Sequence, residues 1–367
     1  MRPDVAVFTD TYLPTVNGVT YTIETWSDRW RRRGGRMDVV YPRSDHAPRT
    51  GEYPVFSLPF PFYDGFHVGL PRIPSAVRDV DLVHSHTPFG VGLAGYRLSR
   101  RRDLPFVVSF HTPTSEYADY LFDSHLARVV SRAANDYETA YLNRADHVVT
   151  PSQSARARLI ERGVSAPVTV VPNGIDVERF APADGDAFRA KYDLPDGPLL
   201  GYTGRHGQEK RLQDVIAAAE GLDIPVVFGG DGPARPMLES RAAESDADVR
   251  FLGFLDRDEL PGFYSALDVF VFPSPVETQG LVALEANVCG TPVVGVDEGA
   301  LADTIEEGST GYHYQPGDVD GFRRAIRRTL DERDRLRASC LATRERVSVE
   351  HAVNILETVY SIVLEQY

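Results

Sequence analysis

Lysine is nearly missing from this chain: Lys191 and Lys210 stand against 37 arginines in 367 residues. Any chemistry that needs a primary amine is confined to two positions, so the place of Lys210 in the pattern matters. Cysteine is as scarce. Cys289 and Cys340 alone make neither a disulfide framework nor a zinc site, and so few thiols fit a reducing cytoplasm. No apolar run approaches the ~20 residues of a bilayer-crossing helix. The opening Met1-Arg2-Pro3-Asp4 leads into a strand-like run without a secretory signal pattern. A cytoplasmic protein is expected.

What is present describes a two-domain globular chain: the length suggests two domains, and 42% hydrophobic with 25% charged residues is ordinary for soluble folds. The net charge of -14 is unevenly placed. Residues 1–150 hold 17 Arg against 17 Asp plus Glu, whereas the remainder holds 22 basic against 36 acidic residues. That balance argues against nucleic acid as a partner. Within the neutral half, Arg29, Arg31, Arg32, Arg33 and Arg36 cluster beside Trp26 and Trp30, and Arg97, Arg100, Arg101 and Arg102 form a second group. A cationic patch with aromatics suits an anionic membrane surface. Arginines at a helix C-terminus are the plainer reading. Peripheral association through residues 29–36 is the expectation, at the cytoplasmic face.

The first half alternates strand-like and helix-like stretches. Strands are expected at 5–9, 37–41, 81–85, 106–110 and 145–150, and helices at about 19–32 and 123–143. Residues 53–74, rich in Pro, Phe and Gly, read as a surface loop. After a strand at 168–171, Pro172-Asn173-Gly174-Ile175-Asp176 breaks the pattern and marks a hinge. A second alternation follows, with strands at 199–203, 225–228, 249–252, 269–272 and 292–295, and the end from about 335 is helical. This order predicts an α/β protein of two Rossmann-like domains with parallel sheets. The expected divisions are 1–172, 173–345 and a terminal helix 346–367. Ligands of such sheets bind outside the carboxyl ends of the strands, here expected in a cleft between the halves.

The run Pro273-Ser274-Pro275-Val276-Glu277-Thr278-Gln279-Gly280-Leu281-Val282-Ala283-Leu284-Glu285-Ala286 sets two glutamates eight positions apart, the second inside an apolar helix-forming stretch. A carboxylate there is costly unless paired, and neighbouring hydroxyls of a sugar or ribose would serve. Both could instead be acids held at a helix N-terminus. Gly201-Tyr202-Thr203-Gly204-Arg205-His206-Gly207-Gln208-Glu209-Lys210 puts two cations on a glycine-rich strand-to-helix turn. Glycines admit phosphates and the helix start adds positive charge; two surface cations in ion pairs are the alternative. Gly229-Gly230-Asp231-Gly232-Pro233 is a tight turn after a strand. In the first half, Asp10-Thr11-Tyr12-Leu13-Pro14-Thr15-Val16-Asn17-Gly18 follows the first strand, and His84-Ser85-His86 and Ser109-Phe110-His111-Thr112-Pro113 end two others. Zinc on the three histidines lacks a completing carboxylate or cysteine, and His84 reads as a buried, hydrogen-bonded residue.

The two-glutamate run resembles the E-x7-E motif of retaining family 4 nucleotide-sugar glycosyltransferases, which have the GT-B fold. The turn before it resembles their G-R-x4-K pattern. The likeness spans nearly the whole chain. It implies a terminal helix that crosses back to the first domain, and a diphosphate bound by Arg205 and Lys210. It places Glu277 on the hydroxyls of the transferred sugar and Glu285 on the donor ribose. Gly280 and Leu281 would offer backbone N–H groups, Asp231 would lie beside the nucleotide, and Gly18 would approach the diphosphate. The opening Phe8-Thr9-Asp10-Thr11-Tyr12, the Asn17-Gly18 pair and the histidine motifs resemble lipid-acceptor members, which puts His111 at the sugar–phosphate edge and His86 and Asn17 on the acceptor side. Gln279 stands where many members have Phe, and Glu277-Thr278-Gln279-Gly280-Leu281 resembles the form in diacylglycerol glucosyltransferases.

The implied reaction is transfer of a hexose to a glycerolipid hydroxyl by front-face displacement. A phosphate oxygen takes the proton, and His111 and Asp10 assist. Asp79-Val80-Asp81, Asp246-Ala247-Asp248 and Asp318-Val319-Asp320 read as junctions or turns. No metal and no cofactor beyond the nucleotide sugar are therefore expected. Other readings are a soluble sugar, inositol-phosphate or polyprenyl-linked acceptor, and a non-catalytic nucleotide-sugar-binding subunit. A pyridoxal-phosphate phosphorylase on the same fold is disfavoured, because Lys191 lies outside the motifs and Lys210 is already assigned.

Overall fold

The computed structural model describes residues 2–15, 17–59, 67–111 and 124–367. Val16, Thr112, Pro113, the expected helix start at Asp123 and the 60–66 part of the loop 53–74 lie outside the described residues. Contacts divide the chain into one unit of Met1–Asn173 with Val349–Tyr367 and a second of Gly174–Ser348.

The first unit runs β1 (Val5–Phe8), α1 (Gly18–Arg32), β2 (Met37–Pro42), β3 (Glu52–Val55), β4 (Ser57–Pro59), β5 (His67–Gly69), β6 (Leu82–Ser85), α2 (Gly90–Arg102), β7 (Phe106–Ser109), α3 (Ser124–Leu142), β8 (His147–Thr150), α4 (Gln153–Glu161) and β9 (Val168–Val170). Seven of these strands form a parallel sheet in the order β3-β2-β1-β6-β7-β8-β9. Runs such as Val5-Ala6-Val7-Phe8 are buried at every position, as strands covered on both faces require. The described parts of the stretch 53–74 hold strands where a loop was expected. Glu52–Val55 is an edge strand, where Pro54 removes no needed donor. Ser57–Pro59 and His67–Gly69 pair as an antiparallel hairpin.

The helix Val349–Leu364 belongs to the first unit. Its Leu356, Val359, Tyr360 and Val363 share one core with Trp26 and Trp30 of α1. This overturns the expectation of a cationic, aromatic surface at residues 29–36. Trp26 and Trp30 are 1% and 0% exposed, and their indole N–H groups donate to the carbonyls of Asn173 and Pro3. Arg29 pairs with Glu350 at 2.9 Å. Arg33 bonds Glu350, Asn354 and Glu357. Arg31 donates to the Met37 carbonyl, Arg32 pairs with Asp28, and Arg36 pairs with Asp38 and Asp4. The cluster fastens α1 to the terminal helix and to β2, so its charge is largely spent inside the protein.

The second unit runs α5 (Gly185–Lys191), β10 (Leu200–Thr203), α6 (Gln213–Ala219), β11 (Val226–Gly229), α7 (Arg235–Glu244), β12 (Val249–Gly253), α8 (Leu260–Ala266), β13 (Val269–Phe272), α9 (Leu281–Val288), β14 (Val293–Val296), α10 (Leu301–Thr304), β15 (Gly311–Tyr314), α11 (Val319–Asp331) and α12 (Arg333–Ala342). Its six-stranded parallel sheet has the order β12-β11-β10-β13-β14-β15. In each sheet the order of strands reverses once, between β1 and β6 and between β10 and β13. Loops leaving the carboxyl ends of the two strands at a reversal turn away from each other and open a crevice.

Leu356 is fully buried in the core it shares with α1. Leu356→Ala is expected to cost about 2–5 kcal/mol, whereas Ser at the half-exposed Ile362 changes stability by no more than about 0.5 kcal/mol. Urea midpoints of the two variants check the contrast.

Candidate active site

The turn after β10 and the turn after β13 meet at the reversal of the second sheet. Lys210 ends a single 3-10 turn, Gln208–Lys210, and the chain then passes through a left-handed Arg211 into α6. Its Nζ reaches Glu277 Oε1 at 2.5 Å, with both side chains less than one-fifth exposed. Arg205, on the same turn, contacts Glu209 at 3.4 Å. Burial and the nearby charges of Glu277 and Glu209, partly offset by Arg205, raise the pKa of the buried Tyr202 phenol at the end of β10. Three of these charged groups therefore surround one ring.

Glycine is required where the neighbouring turn closes on this loop. Gly230 has φ 97°, and a Cβ there would lie 2.1 Å from the Gly204 carbonyl oxygen. Asp231 is exposed and turns inward on its own backbone, accepting from the Gly232 N–H at 2.7 Å, while its carbonyl accepts from the His206 N–H. The structure thus gives Asp231 a part in shaping the turn. Gly280 is the N-cap of α9 in the left-handed conformation. A Cβ there would lie 2.8 Å from Leu301. Leu281 opens the helix, where the first N–H groups have no intrahelical partner.

Glu285 lies one turn into α9 and is 8% exposed. The Tyr264 hydroxyl donates to its Oε2 at 2.7 Å. Burial pushes the Glu285 carboxyl up to about 7, against the opposing pull of the Tyr264 bond and the Arg257 charge. Tyr202, Glu209 and Tyr264 escaped the sequence reading. An aromatic closing a buried strand or lying inside a helix carries no local mark of what it will touch.

In the first unit, Asp10 follows β1 and His86 follows β6, on the two sides of the reversal. Asp10 is buried, and its carboxylate accepts from the Thr87 hydroxyl at 2.7 Å and from the N–H groups of Val91 and Gly92. Burial raises its pKa and these bonds oppose the rise. A carboxylate filled by the first turn of α2 acts as an anchor for that helix, which corrects the expectation of a reacting acid or base at Asp10. Asn17 is likewise structural here: it caps α1 through Thr20 N–H and donates to Thr11. Gly18 begins the helix and is exposed.

The histidines form a dry relay. His84 bonds Tyr360 and Ser109 through its two ring nitrogens at 2.7 and 2.8 Å, as a core histidine does. His86 Nδ1 and His111 Nε2 lie 2.8 Å apart with their rings 15° from parallel. Burial lowers the pKa of His84 to about 3 and of His111 to about 4, and burial with the nearby His84 and His111 holds His86 well below the usual imidazole range. All three are neutral near pH 7. One proton lies between His86 and His111, so His86 decides which nitrogen of His111 carries hydrogen.

Two family models match the chain: Glycosyltransferase Family 4 over residues 16–179 and Glycosyl transferases group 1 over residues 184–346. A GDP-mannose-dependent alpha-mannosyltransferase of Mycolicibacterium smegmatis is 30% identical over 88% of this chain and 86% of its own. An alpha-monoglucosyldiacylglycerol synthase of Streptococcus pneumoniae is 28% identical over 84% and 75%. The crystal structure of Anabaena HepE in complex with UDP superposes with a TM-score of 0.79 at 20% identity, covering 98% of this chain and 100% of that one.

Two outcomes follow from this geometry. A ligand hydroxyl pair bound by ionised Glu285 binds fully above pH 7 and is lost as the pH falls through about 7. Tyr264→Phe removes a bond that favours the carboxylate and moves that loss to higher pH, read by calorimetric titration with nucleoside diphosphates across pH. His86→Phe keeps a ring beside Trp26 yet frees His111 Nε2, and lowers turnover about tenfold or more without changing nucleotide affinity. Steady-state kinetics with direct binding separates the two quantities.

Proposed function

The chain belongs to the family 4 glycosyltransferases, and on that premise we propose that it is a retaining enzyme that moves a hexose from a nucleotide sugar to a hydroxyl of a diacylglycerol-type membrane lipid. The observation that carries this reading is the meeting of Lys210 and Glu277 at the reversal of the second sheet, with Arg205 on the Lys210 turn and Glu285 on the helix that follows the Glu277 turn. A nucleotide sugar presents two phosphates and two sets of vicinal hydroxyls. This site answers with two cations and two carboxylates.

Donor binding exchanges one ion pair for another. The diphosphate takes Lys210, and Glu277, released, accepts hydrogen bonds from the hydroxyls of the sugar to be transferred. Glu285 accepts from the ribose hydroxyls. As the bond from the anomeric carbon to the phosphate oxygen breaks, Arg205, Lys210 and the N–H groups at the start of α9 offset the charge growing on the leaving group. The acceptor oxygen bonds to the same face and passes its proton to a phosphate oxygen, so the configuration is retained. These two cations supply the positive charge the departure needs, and the scheme calls on no metal. The first unit serves the acceptor: neutral His111, set by His86, orients hydroxyls, and Asp10 fixes the loop beside them.

Support for a lipid acceptor comes from the likeness to a diacylglycerol-modifying synthase and from Gln279 within the glutamate run. Among the described residues no helix is long and apolar enough to cross a membrane, and association with the membrane surface is the corresponding arrangement. A second reading, mannosyl transfer to a soluble, inositol-phosphate or polyprenyl-linked acceptor, is favoured by the 30% identity to a mannosyltransferase.

Purified protein supplied with UDP- and GDP-hexoses and a lipid extract is expected to yield glycerolipid heavier by one hexose in mass spectrometry. Product only on a soluble or polyprenyl acceptor selects the second reading. Glu277→Gln is expected to lower turnover about 100-fold or more while nucleoside diphosphate affinity is kept or raised. Lys210→Ala weakens that affinity about tenfold or more. Wild-type turnover in the first variant or wild-type affinity in the second removes the assigned role.

A further inference from the structure

The hairpin β4–β5 is built with two unlike faces. Strand side chains alternate between faces, and the register opposes Ser57 to Gly69 and Leu58 to Val68. The inner face is seated on the first unit. A Cβ on Gly69 would lie 2.5 Å from Val91 and 3.1 Å from Pro42, and the Ser57 hydroxyl donates to the Arg43 carbonyl at 2.5 Å. Phe56 and Leu70, joined by a backbone bond from Leu70 N–H to Phe56 C=O, continue the face of Leu58 and Val68. These four side chains are 50%, 47%, 55% and 43% exposed respectively for Phe56, Leu70, Leu58 and Val68. An antiparallel ribbon with one solvated face ordinarily carries polar side chains there. Here every described position of that face is large and apolar.

Charge marks what covers it. Arg43 and Arg72 both stand by the open end of the hairpin, where the Ser57 hydroxyl donates to the Arg43 carbonyl and Arg72 N–H donates to the Leu70 carbonyl; both are exposed, and neither is ion-paired to a described residue. Arg29, Arg32, Arg33 and Arg36, by contrast, pair with acids of the protein itself, and Arg31 donates to the Met37 carbonyl. An apolar face with two exposed arginines beside one end, unpaired among the described residues, matches the boundary between acyl chains and anionic headgroups. The hairpin also adjoins the acceptor side. His67 of β5 lines a small recess with Asp10, Tyr12 and Ser44, and the site of a Cβ on Gly90 is 2.4 Å from the Gly69 carbonyl oxygen and 3.7 Å from Asp10 Oδ1.

We infer that the outer face of the β4–β5 hairpin, Phe56, Leu58, Val68 and Leu70 with Arg43 and Arg72 beside its open end, is the surface by which this protein docks on an anionic bilayer and brings a lipid hydroxyl to its acceptor side. The inference rests on the lipid-acceptor reading, yet the two can fail separately.

The test uses the full chain with vesicles of equal parts phosphatidylglycerol and phosphatidylcholine, read by co-sedimentation. Wild-type protein sediments with the vesicles. Leu58→Ser with Leu70→Ser lowers the bound fraction at a given lipid concentration about tenfold or more, and Arg43→Glu with Arg72→Glu does so on anionic vesicles but not on pure phosphatidylcholine. Nucleoside diphosphate affinity and melting temperature stay at wild-type values in both variants, which separates lost docking from lost folding. Equal sedimentation of the serine variant, or no sedimentation of wild type, overturns the inference. So does a wild-type dimer in light scattering that the serine variant dissociates, since the face then covers a second copy. If the docking variants behave as expected but no lipid gains a hexose, the surface stands and the acceptor reading falls. A lipid product with unchanged docking leaves the reading and removes the surface.

Discussion

Lys210 and Glu277 are 67 residues apart and meet because β10 and β13 are neighbours in a parallel sheet. The rest of the second unit's chemistry depends on that adjacency. The reversal of strand order opens the carboxyl edge, and the loops that leave it carry one cation-rich and one acid-rich turn. Neither turn would hold its shape alone. The glycines at 230 and 280 let backbone and side chains approach where a Cβ would collide. Tyr202 and Tyr264 fill the space beneath the charges, and Glu285 is kept dry enough that its proton is lost only near neutrality. The site sets opposite charges close to each other, and Lys210 and Glu277 satisfy one another.

The first unit solves a different problem at its own reversal. Its polar groups are buried and almost fully bonded: Asp10 to the start of α2, His84 to Tyr360 and Ser109, and His86 to His111. Burial holds the imidazoles neutral. Neutral rings joined by one proton form a rigid donor–acceptor set, suited to orienting a hydroxyl rather than to binding an anion by charge. The terminal helix contributes Tyr360 to this arrangement, so it helps to fix His84 on the sixth strand.

The two arginine-rich features show how position outweighs composition. The densest cluster, at residues 29–36, looks like a surface patch when read along the chain, but Glu350 and Glu357 lie more than three hundred residues away in sequence and arrive on the helix that packs against α1. Arg43 and Arg72 draw no notice in the sequence and remain unpaired beside an apolar ribbon.

Periodic apolar runs, glycine-rich turns and the spacing of Glu277 from Glu285 are local properties, and they were enough to read the alternating strands and helices, the parallel sheets, the turns that carry Arg205, Lys210 and Glu277, and the helix that carries Glu285. Strand direction and burial follow from such patterns because a strand covered on both faces must be apolar throughout. What the sequence could not decide were facts about partners distant in the chain. These include the acids that absorb most arginines of α1, the N–H groups that occupy Asp10, the tyrosine that bonds Glu285, and the pairing that gives residues 56–59 and 67–70 one seated and one bare face. Each depends on which strands become neighbours, and that is set by packing of the whole unit, since a side chain's charge, proton and exposure are determined by what surrounds it and not by its position in the chain.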